Sequence, residues 1–438
     1  MMGIRAISLL PFGLIWGLVA MIKRKVFTVF NIRKTPPIKT WVVGNIQAGG
    51  QGKTPTIIAL YEWLQSTKGT STQIAILSRG YGRKTKGYRR VTSLESAKTV
   101  GDEPFEIYHS IKENQEIHRT EKGTLEIIDK TKYISNHDLS SVFVCEDRLI
   151  GISKIQKENP NTSLVLLDDG FQHLKLRATG NIILTKFGEP FCDDLPLPAG
   201  NLREFPSAAK TANIILVTHS PHNLSLLESE KWRIKFFKKM RFWGVKQDSV
   251  PWMDKIFFVS NSTSIPVQQS DLTKYSSNGA SLVKGQKIIL ITGVANAKGI
   301  VNALNSFPIL HHFEYADHHS FSVHDIMNWK KKHSEITLKT SVNPGSATNH
   351  QNECVFVCTR KDYMRIMLLF QENKVTEDFP HAPQDKNTPK SKTQMNASLW
   401  TDGENIDLPF YVCHSEVEML FNKKSDFLNT IINSIDHD

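Results

Sequence analysis

The chain has 438 residues, too many for one ordinary core, and 40% of them are hydrophobic; this excludes a disordered protein and predicts two globular domains with room for a further segment. Lys and Arg number 54 against 43 Asp and Glu, a net charge of +11 that suits an anionic partner such as nucleic acid, a membrane surface or a phosphorylated substrate. Of the five cysteines, only Cys354 and Cys358 form a C-x-x-x-C pair, and no second pair or histidine at finger spacing completes a zinc site, so free buried thiols in a reducing compartment are expected.

Residues 6–22 are uncharged and mostly apolar, interrupted by Pro11, and are followed by Lys23-Arg24-Lys25 and then Arg33-Lys34. A cleaved leader would carry its positive residues first and a small-residue cleavage site last, so the order here predicts a retained membrane anchor. Seventeen such residues lie at the lower limit for crossing a bilayer, and spanning and lying in the interface both remain open. The basic cluster keeps the rest of the chain on the cytoplasmic side.

At residues 40–58 an apolar run meets a glycine-rich turn and then an apolar-periodic stretch, which predicts a strand, a phosphate loop and a helix start. Gly49, Gly50 and Gly52 lack Cβ atoms, so the backbone N–H groups of Gln47, Ala48, Gly49, Gly50, Gln51 and Gly52 can turn inward around phosphate oxygens. The strict phosphate-loop pattern places glycine at 47, where this chain has Gln47. Lys53 is positioned to reach the β and γ phosphates of a bound nucleotide and Thr54 to ligate Mg²⁺. Pro55 falls in the first helical turn, where a missing N–H costs little.

A helix over about 56–64 and a strand over 73–77 then complete a βαβ unit whose loops gather at one sheet edge. Arg79, Arg83, Lys84, Lys86, Arg89 and Arg90 come next, either near a phosphorylated ligand or as a solvated basic face. Gly101-Asp102-Glu103-Pro104 reads as a helix start with two carboxylates in its first turn. Residues 111–137 are polar and unpatterned and are expected to be a surface excursion, before a strand at 141–145. The next strand, 163–167, ends in Asp168-Asp169-Gly170-Phe171-Gln172-His173. Two adjacent aspartates at a buried strand end are costly without a cation or hydrogen bonds, and this is where a phosphate-loop enzyme needs carboxylates for Mg²⁺.

Further strands at 181–185, 212–218 and 255–259 extend the sheet, with a proline-rich loop at 194–204 that carries Arg203. A second α/β alternation begins at Lys287 and runs through strands at 287–292, 311–315, 353–359 and 408–413, with Asp317-His318 after the second of them. Residues 374–405 have few apolar anchors and are expected to form a mobile surface loop.

Taken together, Gly44-Asn45-Ile46 through Lys53-Thr54-Pro55, Ser78-Arg79-Gly80-Tyr81, Gly101-Asp102-Glu103-Pro104, Asp168 to His173 and Leu197 to Glu204 resemble the tetraacyldisaccharide 4'-kinase family, the lipid A 4'-kinases. The resemblance runs in order over nearly the whole chain. It implies transfer of the ATP γ-phosphoryl group to the 4'-hydroxyl of an acylated glucosamine disaccharide 1-phosphate, giving lipid IVA in lipid A biosynthesis. It also implies Asp102 as catalytic base with His318 tuning or relaying its proton, and Lys53 at the phosphates. Thr54, Asp168, Asp169 and Glu103 would serve as the Mg²⁺ set, and Arg79, Tyr81, Gln172 and Arg203 as substrate contacts.

The expected fold class is α/β: an anchor and basic flank over 1–34, a phosphate-loop α/β/α kinase domain over 35–280, and a smaller α/β domain over 281–438, with the site in the cleft between the two domains. ATP, Mg²⁺, the disaccharide lipid and the cytoplasmic face of a bacterial inner membrane are the expected cofactors and partners, the chain being peripheral or singly anchored. No protein partner is implied. A regulatory nucleotide switch on a membrane partner is the alternative, but the chain has no guanine-reading N-K-x-D sequence. Nucleic acid is not expected, since the basic residues are not interleaved with aromatics.

Overall fold

A computed structural model of the chain describes residues 4–68, 73–121, 141–246, 250–252, 254–269, 281–294, 297–317, 319–340, 354–377 and 410–436. The apolar runs become strands buried on both faces, as parallel strands covered by helices must be. In chain order these are β1 (Lys39–Asn45), β2 (Gln73–Ser78), β3 (Arg89–Arg90), β4 (Val142–Val144), β5 (Thr162–Asp168), β6 (Gly180–Lys186), β7 (Ile214–Thr218) and β8 (Ile256–Thr263). With β14 (Ser415–Met419) they form one nine-stranded sheet in the order β14-β8-β7-β6-β1-β5-β2-β4-β3. From β4 across to β8 every neighbouring pair is parallel, and β3 runs antiparallel to β4.

β1 is flanked by β5 on one side and β6 on the other, so the strand order reverses around it, and a crevice at the carboxyl ends of the strands results from that topology. The register pairs Val43 with Asp168. The end of the acidic strand is thereby held next to the start of the glycine loop.

The helices of this unit are α1 (Ile4–Val29), α2 (Lys53–Lys68), α3 (Ala97–Val100), α4 (Asp102–Glu121), α5 (Arg148–Glu158) and α6 (Leu226–Phe242). Among the described residues α1 is the one helix long and apolar enough to cross a membrane. It leaves Phe12, Ile15 and Val19 about 60% exposed. Its Gly17 face is different: a Cβ there would lie 2.5 Å from the Phe205 ring, so only glycine permits this close approach to the segment just after the 194–204 loop. Trp16 Nε1 donates to Arg203 O at 3.0 Å on the same side.

Two compact units are present, Met1–Ser262 with Ser415–Asp438, and Thr263–His414. This division differs from the expected one in two places. The boundary stands near 262 rather than 280, because β9 (Val267–Gln269) already pairs with the second sheet. The final residues return to the first unit as β14 and α10 (Lys424–Asp436), where Phe427 packs on Phe257 and Trp63.

The second unit is built on β9, β10 (Ile288–Thr292), β11 (Ile309–Glu314), β12 (Val355–Thr359) and β13 (Phe410–Cys413), in the order β11-β10-β12-β13-β9. Its helices are α7 (Ala297–Ala303), α8 (Val323–Thr340) and α9 (Arg360–Glu377). All five cysteines are free and buried.

Two expected loops are corrected in part. Residues 111–121 continue α4, because Phe105, Ile107, Tyr108 and Ile111 give it a buried face and no Gly or further Pro interrupts it. Residues 374–377 likewise close α9, and the rest of both segments, 122–137 and 378–405, lies outside the described residues.

Candidate active site

The chain leaves β1 at Asn45, turns through the glycine loop and enters α2 at Lys53. Gly49 and Gly52 have φ of 101° and 76°, values that a residue with a Cβ rarely adopts, and Gly49 and Gly50 stand in open space. The turn is clasped from the opposite side. Gln47 bridges antiparallel to Leu202, Ala48 N donates to Asn201 O at 2.7 Å, and Arg203 N donates to Ile46 O at 2.8 Å. Gln47 Nε2 donates to Asp194 at 3.2 Å, and Thr218 Oγ1 to Gln51 O at 3.1 Å. The loop backbone is therefore fixed before any ligand arrives; the Ala48 N–H, expected to turn inward, is committed to Asn201 O instead, because the loop pairs there with the 194–204 segment.

Lys53 Nζ lies 3.4 Å from Asn45 Oδ1 and 3.8 Å from Asp169 Oδ2. These are long, partly exposed contacts, so the ammonium is held in place yet free to turn to a stronger anion. Thr54 occupies the same first turn of α2, one residue on.

Asp168 is buried, and Ser78 Oγ donates to its Oδ2 at 3.0 Å. Burial, with the negative charges of Glu103 and Asp169, pushes its carboxyl up to about 7, against the opposing pull of Lys53 and Ser78. Asp169 has φ of 49°, in the left-handed region, which turns its carboxylate toward Lys53 and Arg203. Arg203 Nη1 lies 3.1 Å from both Asp169 oxygens and from Gln172 Oε1. Gln172 Nε2 donates to Asn45 O at 2.9 Å and to Glu204 Oε1 at 3.2 Å. Glu204 is in turn gripped by Arg24 of α1. One network thus runs from the glycine loop through Asp169, Arg203, Gln172 and Glu204 to the apolar helix.

Asp102 and Glu103 occupy the first turn of α4, as the Gly-Asp-Glu-Pro sequence predicts. Arg79 and Tyr81 are exposed at the carboxyl end of β2, Tyr81 by 74%. His318 lies outside the described residues. Its neighbour His319 stacks on Tyr315 and lies 3.4 Å from Asp325.

Several participants escape sequence reading. Asn45, Ser78 and Glu204 stand inside motif stretches but carry no chemical signal of their own. Arg148 is buried beside the acidic strand end, donating to Glu146 O and Asp169 O, and its Nε has no partner among the described residues. Its only sequence cue is an arginine in the first turn of a helix, where a cation is unfavourable. At the far side of the loop, a Cβ on Gly52 would meet His219 and Asn261 at 3.5 and 3.6 Å. Asn261 accepts from His219 N, and its own amide nitrogen is buried without a partner among the described residues.

Mg²⁺ fits this donor set. Among the described residues no group of three or more His, Cys, Asp or Glu side chains gathers as a metal cage. Mg²⁺ in phosphoryl-transfer sites takes one or two carboxylates and completes its shell with phosphate oxygens and water. The buried Asp168 carboxylate, disfavoured by Glu103 and Asp169, has the electrostatic need that a cation meets.

The profile of the tetraacyldisaccharide-1-P 4'-kinase family matches residues 5–121 and 112–399. The tetraacyldisaccharide 4'-kinase of Cytophaga hutchinsonii is 29% identical over 385 residues, covering 86% of this chain and 90% of the relative. That of Flavobacterium johnsoniae is 30% identical, covering 70% and 80%. The crystal structure of LpxK from Aquifex aeolicus in complex with ATP superposes with a TM-score of 0.59 over 99% of each chain at 18% identity, a likeness of fold. With the glycine loop, the acidic strand end and the apolar helix all inside the matched span, the chain belongs to the tetraacyldisaccharide-1-P 4'-kinase family.

Proposed function

We propose that this chain moves the γ-phosphoryl group of ATP to the 4'-hydroxyl of a tetraacyldisaccharide 1-phosphate, giving lipid IVA, at the cytoplasmic face of a bacterial inner membrane. The observation that carries the reading is the meeting of Lys53 and Asp169 at 3.8 Å, the end of the glycine loop against the end of the acidic strand. Family membership favours a kinase over a nucleotide switch.

In this mechanism the loop N–H groups of residues 47 and 49–52 and the α2 N-terminus hold the β and γ phosphates. Lys53 turns from Asp169 onto the transferring group, and neutralisation of its charge favours a loose transition state. Thr54 with one or two of the carboxylates of Asp168, Asp169 and Glu103 would hold Mg²⁺, which would supply positive charge to the phosphates. Arg203 restrains Asp169, and Gln172 restrains Arg203, so Gln172 acts by positioning. Arg79 and Tyr81 are exposed and suit contact with the sugar or its 1-phosphate. Asp102 accepts the proton of the 4'-hydroxyl, and His318 supports it. α1 keeps the chain beside a substrate whose acyl chains stay in the bilayer.

The test is phosphotransfer from ATP with Mg²⁺ to the disaccharide 1-phosphate in mixed micelles, for wild type, Asp102→Ala, His318→Ala and the double variant. Each single variant should lose kcat with little change in the KM for ATP. The double should be little worse than the poorer single, because residues acting as a unit are non-additive. Fully multiplicative losses would rule out the coupled pair, and a wild-type protein that leaves the lipid unphosphorylated would sink the reading itself.

A further inference from the structure

The turn that presents Asp169 to the glycine loop has a second face. Gly170, Phe171 and His173 there line a cavity of about 60 Å³, together with Arg24, Arg33 and Arg177. A single water needs roughly 10–15 Å³ of such space, so the cavity suits a group with several oxygens, such as a tetrahedral phosphate.

Of the three guanidinium groups around this small space, only one is matched by an anion among the described residues. Arg24 is matched by Glu204. Arg33 donates to Thr28 Oγ1 at 2.7 Å and Arg177 to Asn31 Oδ1 at 2.9 Å, both neutral oxygens, and among the described residues neither has a carboxylate partner. Arg33 Nε and His173 Nε2 are buried with no partner among the described residues. Burial, then repulsion from Arg24 and Arg177, lowers the pKa of Arg33, which is the signature of a cation lacking its counter-charge. Arginine is the side chain whose fork matches phosphate oxygens two at a time.

The position of the cavity selects the source of that anion. Arg33 comes directly after the end of α1, where Val29, Phe30 and Ile32 are 65%, 72% and 44% exposed. The segment is fastened beside the cavity by Lys34 N to Lys175 O at 2.8 Å and Arg177 N to Lys34 O at 2.9 Å. Apolar side chains next to unmatched arginines suit a layer where acyl chains give way to phosphates.

We propose that this cavity is a phospholipid headgroup site, in which Arg33 and Arg177 hold the phosphate of an anionic lipid while the apolar residues of α1 engage the bilayer. The proposal rests on the membrane role of α1 and not on the phosphotransfer step. Occupancy would restrain the Gly170–His173 side of the turn whose other side presents Asp169, giving the enzyme a contact by which the membrane steadies its site.

The test is co-sedimentation of the full chain with vesicles of phosphatidylcholine, with and without phosphatidylglycerol. Phosphatidylglycerol should raise wild-type partitioning, and the variant R33K/R177K, which keeps both charges but loses both forks, should lose about tenfold of that increment. Partitioning on neutral vesicles reports α1 and should be unchanged. R177K alone alters an exposed position and gives a loss of about threefold even if the double variant does not fold. Wild-type affinity in R33K/R177K, or in the R177K single where the double is unfolded, overturns the proposal, as does a wild type indifferent to phosphatidylglycerol. Calorimetric binding of inorganic phosphate that R33K/R177K abolishes, without any change on vesicles, would assign the site to free phosphate and overturn the lipid source.

Discussion

Arg24 and Glu204, 180 residues apart, form a two-point ion pair, with Nε to Oε2 at 2.8 Å and Nη2 to Oε1 at 2.7 Å. Their side chains are 12% and 5% exposed, and the guanidinium also lies 4.3 Å over the Phe171 ring. The apolar helix α1 is therefore tied to the residue next to Arg203, which restrains Asp169. Removing one partner strands a shielded charge, so Arg24→Met is expected to cost about 3–5 kcal/mol in urea unfolding of the first unit. The double variant Arg24→Met/Glu204→Leu should recover most of that, since it removes both charges. A single variant as stable as wild type would mean that the pair is not a structural tie.

Lys53→Ala removes the charge proposed to turn to the phosphates, and Thr54→Ala removes a hydroxyl at the first turn of α2. Each is expected to lower kcat by about 10²-fold or more, the usual effect of losing an electrostatic contact made in the transition state. Their thermal stability should match wild type, because the Lys53 contacts to Asn45 and Asp169 are long and partly exposed. Turnover near normal in either variant would remove the phosphate-loop assignment.

Asp168→Asn separates function from stability at the acidic strand end. The carboxylate is buried, disfavoured by Glu103 and Asp169, and satisfied by only one hydroxyl among the described residues, that of Ser78. A neutral amide of the same shape removes the repulsion and still accepts from Ser78. Turnover is expected to fall about 10²-fold while the nucleotide-free melting temperature holds or rises. A marked drop in melting temperature would make Asp168 a structural residue.

The sheet was legible because its strands have unbroken apolar runs, such as 164–167 and 214–217, which a doubly covered parallel sheet keeps buried throughout. The glycine loop and the acidic strand end were legible because their residue types conflict with a bland core. β3 and α10 were not read, since Arg89-Arg90 carries no strand pattern and α10 owes its place to Phe427 meeting rings far away in sequence. The restraints on Asp169 were illegible for a related reason. Arg203, Gln172 and Glu204 converge through side-chain geometry across separate loops, and no spacing in the chain encodes that meeting. The resemblance gives Gln172 as a substrate contact, and in the structure its amide meets Asn45, Glu204 and Arg203.

His414 gives the second unit a pH dependence of definite sign. Burial, and then Arg360, depress its pKa from 6.5 to about 3. Arg360 Nη1 approaches Nδ1 at 3.4 Å, which requires that nitrogen to be unprotonated. The unfolded chain takes up the proton near pH 6.5 and the folded chain does not, so this stability is full above that pH and is lost as pH falls toward 3. Between about pH 6.5 and 5.5, before carboxylates titrate, the loss should be about 1 kcal/mol. His414→Gln should flatten that limb in urea unfolding, and an unchanged slope would exclude His414 as its source.

Truncation distinguishes the two roles of α1. An anchor with only a membrane role could be removed through residue 25 without touching the fold, but Arg24 lies inside that stretch and holds Glu204. A protein lacking residues 1–22 keeps Arg24, while one lacking residues 1–25 does not. Both should lose sedimentation with neutral vesicles, because the exposed Phe12, Ile15 and Val19 are gone from each. The longer deletion should also melt at a lower temperature and bind ATP more weakly, since an unmatched Glu204 no longer steadies the loop that carries Arg203. Equal melting and equal ATP binding in the two would show that Arg24 contributes nothing beyond its place in the anchor. Full sedimentation of both would transfer the membrane contact to a surface that both retain, of which the cavity of Arg33 and Arg177 with the exposed Val29, Phe30 and Ile32 is the foremost.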